Sequence, residues 1–152
     1  MTAWQDLAAE SPYKTAVSIK QALDLGQVVE ASSGLTELID ALSRSERRAL
    51  KSQLARLMLH VIKWRTQPQR RSRSWVASIG NARDEIADIR EETPSLNETV
   101  IADLWDKAFV IATREAEAEM GCASAVTELS WGDVFDEAYR LDGNRDADEL
   151  AG

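Results

Sequence analysis

The chain has one cysteine, Cys122, which excludes an internal disulfide and with it the small disulfide-stapled scaffolds. It also has one histidine, His60, and these two side chains alone cannot fill a tetrahedral zinc site. Three prolines and seven glycines give little punctuation, and the abundant Ala, Leu, Glu and Arg favour helix over sheet. The longest strongly apolar run, "LMLHVI" at 57–62, is far too short to span a bilayer. The start, "MTAWQDLAAE", lacks the basic and apolar regions of a signal peptide. There is no glycine-rich phosphate loop and no Ser/His/Asp signature. The expectation is a cytoplasmic, non-enzymatic protein with no membrane segment, cofactor or metal.

The pattern that remains is helical. At 152 residues the length suits one domain with its own core. Ser11-Pro12 reads as a helix start, with Ala16, Ile19 and Leu23 at helical spacing and Gly26 as the stop. Residues 27–34 are expected to connect to a short helix whose Leu35, Leu38, Ile39 and Leu42 share a face. Ser43-Arg44-Ser45-Glu46 fits a capping box opening the next helix. That helix carries Leu50, Leu54, Leu57, Val61 and Trp64 and ends before Pro68.

Ser72 or Ser74 then caps a helix with Trp75, Ile79, Ala82, Ile86 and Ile89 on one stripe. A further helix starts with Thr93 as cap before Pro94, or with Ser95 and Glu98 as a capping box. It stops at Gly121. Ser130 opens a short last helix containing Trp131, Val134, Phe135 and Tyr139. The predicted architecture is an all-α, single-domain helical bundle of about five to six helices. It occupies residues 1–141, with an acidic, disordered tail over 142–152.

Charge is distributed unevenly. From Arg44 to Arg73 ten basic residues face Glu46 alone, a net +9 in a chain of net −8, so the remainder carries −17. Within "HVIKWRTQPQRRSRSW", Lys63 and Arg65 sit in a last helical turn, where cations complement the dipole. Arg70, Arg71 and Arg73 precede or open the next helix, where the dipole disfavours them, so an anion is expected to answer them. It is either a set of carboxylates within the fold or interface, gripped by arginine's planar fork, or an external phosphate at a helix start. His60 lies beside the apolar stripe and is read as partly buried and locally hydrogen-bonded. Cys122 is read as a small packing residue, and Glu115 and Glu119 as a solvated face. The candidate anion or interface site is therefore His60, Lys63, Arg65, Arg70, Arg71 and Arg73.

The stretch "LSRSERRALKSQLARLMLHVIKWRTQPQRRSRSW" closely resembles the central signature of the bacterial domain-of-unknown-function family 29, abundant in cyanobacteria. Its elements fall on Glu46 to Leu50, His60, Lys63, Trp64, Gln67, Pro68 and Arg71 to Trp75. Similar residues continue at Thr93 to Leu96 and Ser130 to Glu137, so the resemblance runs from about Tyr13 to Tyr139. The N-terminal part is plainer than the family's usual acidic, aromatic pattern, and the proline-containing link before the last helix is missing. The resemblance implies an all-helical fold and brings no established activity.

The function expected from the residues is a protein-interaction module whose partner is another protein or a second copy in a homodimer. The alternatives are anion or nucleic-acid binding through the basic junction at 63–73, and an antitoxin-like component that binds a basic partner.

Overall fold

In a computed structural model the protein is all-α, and residues 3–141 are described. The acidic tail expected over 142–152 lies outside them. Among the described residues there is no strand. The chain divides into two compact units, Met1–Arg48 and Ala49–Gly152.

The N-terminal unit begins with α1 (Ala3–Glu10), a helix the sequence reading did not include, and α2 (Pro12–Asp24). Ser11 caps α2 as expected: its hydroxyl accepts the Lys14 N–H at 3.1 Å, with Pro12 at the first helical position. Gly26 closes α2 at φ 75°. The Gln27 N–H reaches the Ala22 carbonyl and the Gly26 N–H the Leu23 carbonyl, the pair of bonds that defines a Schellman stop.

Next comes α3 (Val28–Thr66), 39 residues long, with parts in both units. This corrects two expectations, the connection over 27–34 and the helix break at Ser43. A capping box works only where the chain enters a helix from outside. Here the helix-forming residues before Ser43 already supply the carbonyls that satisfy its N–H donors. Gly34 likewise marks a close approach instead of a turn. A Cβ there would stand 2.8 Å from Cε3 of Trp4 and 2.9 Å from Cγ1 of Ile19. Around this point a small core forms from Ile19, Ala22 and Ala31, with Trp4 and Leu38 packed against it.

The second unit has a larger core. The Leu50, Leu54, Leu57 and Val61 stripe of α3 is fully buried. It packs with Ile79, Ala82 and Ile86 of α4 (Arg73–Glu92) and with Ile101, Ala108, Ala112 and Ala116 of α5 (Glu98–Met120). Alanines four apart along α5 let neighbouring backbones come close. Of the two serines read as possible caps, Ser72 caps α4, and Gly121 ends α5 at φ 73° as read.

Asn97, not Thr93 or Ser95, caps α5, accepting the Val100 N–H at 3.2 Å. The Thr93-Pro94-Ser95-Leu96 segment instead closes a turn, Leu96 N–H to Thr93 carbonyl, that buries Leu96. The expected last helix is a single π-helical turn, Gly132–Asp136, and Tyr139 lies beyond it.

Candidate functional site

The basic junction is built from the end of α3, a 3-10 turn (Pro68–Arg70) and the start of α4. Lys63, half-buried, pairs with Glu119 at 2.7 Å, and its ammonium lies 4.8 Å from the Trp75 ring centroid. Arg65 reaches across the chain to Asp133 at 2.5 Å and Glu137 at 3.5 Å. Arg71 donates its Nε–H to the Trp64 carbonyl at 2.8 Å and lies 4.7 Å over the same residue's ring. Arg70 and Arg73 are exposed, and their side chains have no hydrogen-bond or ion-pair partner among the described residues.

Arg65 is the centre of a connected set. Asp133 accepts the Ser130 N–H at 2.8 Å while the Ser130 hydroxyl accepts the Asp133 N–H at 3.1 Å, a reciprocal cap. The Ser130 N–H holds the Asp133 carboxyl below its ordinary range, and Arg65 adds to this. Tyr139 donates its hydroxyl to the Asp133 carbonyl at 2.6 Å and packs edge-on to Trp64, ring centroids 5.8 Å apart. Burial pushes the Tyr139 phenol up to about 12, with Glu137 adding to the shift.

Arg83, absent from the sequence reading, joins this set together with Trp105 and Trp131. Arg83 donates to the Val134 carbonyl at 2.9 Å, and Trp105 donates to Leu129 while stacking on Trp131. The long cationic and aromatic side chains thus fasten the 129–139 segment to the helices. Arg83 gave only a weak signal in sequence, its position beside the buried Ala82.

His60 donates Nδ1–H to the Arg56 carbonyl at 2.9 Å, a bond within its own helix. Burial lowers its pKa below 6.5, so the neutral ring is favoured. Cys122 is exposed, contrary to its reading as a packing residue, because it follows the left-handed Gly121 outside α5. Among the described residues, no three or more His, Cys, Asp or Glu side chains are grouped to hold a metal ion. Among them, too, no helix is long and apolar enough to cross a membrane.

A family model described as "Domain of unknown function DUF29" matches residues 13–140. The chain belongs to the DUF29 family. No curated protein and no solved structure matched it.

The DUF29 chain also presents a feature that the sequence reading missed. Nine of the ten large hydrophobic residues exposed among the described residues lie between Tyr13 and Leu42. On α3, Val28, Leu35, Ile39 and Leu42 recur at intervals of seven, four and three, which places them on one face. Of the four residues read as sharing one face, only Leu38 packs against the small core, while Leu35, Ile39 and Leu42 are 47%, 58% and 42% exposed. Leu23, Leu25 and Val29 add apolar surface at the α2–α3 corner. The readable signal was an apolar arc wider than α1 and α2 can cover.

Proposed function

We propose that this DUF29 protein is a non-enzymatic protein-interaction module whose binding surface is the apolar face of its N-terminal unit. The observation that carries the reading is that nine of the ten exposed large hydrophobics among the described residues lie within residues 13–42. Scattered apolar residues need no explanation on a protein surface, but a contiguous stripe of this kind fits a docking helix. Between residues 3 and 40 six carboxylates accompany two lysines. The matching partner is therefore an amphipathic helix of another protein, apolar on one side and flanked by basic residues.

The basic junction supports the same reading from the other side. Lys63, Arg65 and Arg71 are engaged by groups within the chain. Arg70 and Arg73 alone make a poor match for a polyanion, which is gripped by many cations at once.

The test titrates a designed Leu/Lys amphipathic helix and its Leu/Glu counterpart into the full chain. The Leu/Lys helix is expected to bind, and binding should be lost in the Leu35→Glu, Ile39→Glu double variant but kept in Val110→Glu. Equal binding of both helices, or no effect of the double variant, overturns the reading. Sedimentation of the chain alone separates a second copy from a foreign partner. A dimer abolished by the same double variant would replace the proposed foreign partner with self-association.

A further inference from the structure

We propose that a groove in the second unit, between the carboxyl ends of α3 and α5, binds a small organic monoanion with an apolar body, such as an aryl carboxylate. Its volume is about 610 Å³, within the rough range of 300–1,000 Å³ common for small-molecule sites. Its lining combines polar and cationic residues, among them Arg65, Gln67, Gln69 and Arg70, with the apolar Met120 and Val126. The exposed Cys122 belongs to the same lining.

Charge bookkeeping around the groove isolates Arg70. Two helix carboxyl ends would normally compete for a nearby cation. Here the Thr66 hydroxyl takes the Ile62 carbonyl, the Gln67 N–H takes Lys63, Arg71 takes Trp64 and the Gly121 N–H takes Glu117. The neighbouring acids are also engaged: Glu119 by Lys63, Glu117 by the Ser124 N–H, and Asp133 and Glu137 by Arg65.

Of the two charged residues lining the groove, Arg65 is paired with Asp133 and Glu137, and the Arg70 side chain has no partner among the described residues. Its backbone is fixed, because Arg70 N–H bonds the Gln67 carbonyl at 3.0 Å and Pro68 restrains the turn. An unpaired guanidinium on this turn, in a groove also lined by two side-chain amides, can grip one carboxylate through its planar fork. Met120 and Val126 in the same lining favour an apolar body over a bare inorganic ion.

Benzoate is the probe, followed by amide chemical shifts of the full chain, with alkylation of Cys122 by iodoacetamide as an independent occupancy readout. At roughly 10 mM benzoate, enough to fill a millimolar site, shifts are expected over 66–70 and 120–126 together with slower alkylation. Arg70→Ala should weaken binding roughly tenfold, the effect of losing a hydrogen bond to a charged group. Arg73→Ala removes the same charge outside the groove and should leave binding unchanged. No shifts, an equal loss in both variants, or benzylamine binding as well as benzoate would each overturn the proposal.

Discussion

The Arg71 side chain donates to the Trp64 carbonyl seven residues back and covers that residue's indole ring. This explains a cation placed where its own helix disfavours one. Arg71 sits two residues before α4, yet it serves the end of α3, whose last carbonyls lack partners within the helix. Arg71→Lys keeps the charge but loses the planar fork. It should cost about 1–2 kcal/mol in urea unfolding, whereas Arg73→Lys should cost nothing measurable.

Acid should destabilise the second unit in two stages. The folded pKa of His60 is depressed by burial, so its contribution is present above its ordinary 6.5 and is lost as pH falls through the folded value. Asp133, also depressed, contributes above its ordinary 3.8, and that contribution disappears at lower pH. Unfolding midpoints should therefore decline below pH 6.5, and His60→Gln should flatten the first stage.

Alkali acts with the opposite sign on Tyr139, whose folded value is raised from 10.0 to about 12. Its stabilisation is complete below pH 10 and declines between 10 and about 12. The phenolate absorbance that disappears in Tyr139→Phe should develop near pH 12 in the folded protein.

Gly34 should tolerate no side chain without rearrangement, since Trp4 and Ile19 occupy the space. Overpacking by Gly34→Ala should cost roughly 1–3 kcal/mol. The loss should fall on hydrogen-exchange protection in α1 and α2, because the two cores are separate clusters. Uniform loss across both units would contradict that division.

Local chemistry was legible in the sequence, and long-range chemistry was not. Ser11, Ser72, Gly26 and Gly121 could be read because each acts on backbone within a few residues. Ser43–Glu46 has the letters of a cap, yet the same letters are compatible with helix interior, and only the unbroken backbone of α3 decides between them. Arg65 and Asp133 are 68 residues apart, so no spacing rule could join them. Charge imbalance led to the expectation of an anion for Arg70, Arg71 and Arg73. Among the described residues no carboxylate meets any of them: a carbonyl and an indole answer Arg71, and the Arg70 and Arg73 side chains are unpaired. The shared apolar face of Leu35, Leu38, Ile39 and Leu42 could be read, but not its exposure, because the apolar spacing is the same for a buried and an exposed face.

Nucleic-acid affinity should be slight. With Arg70 and Arg73 as the free cations of the junction, the dependence of log affinity on log salt should be no steeper than about −2 for duplex DNA. A labelled duplex titrated at several salt concentrations gives this slope. A much steeper value would mean that further cations, either the internally paired ones or those between Arg44 and Arg56, also meet phosphate.

The fastening of the 129–139 segment to the helices by the basic junction rests most directly on Arg65 and Asp133. A double-mutant cycle with Arg65→Ala and Asp133→Ala, read by urea unfolding, measures their coupling. Their side chains are 35% and 23% exposed, so solvent screens the pair in part and a coupling of about 1 kcal/mol is predicted. Additive losses, with coupling indistinguishable from zero, would contradict it.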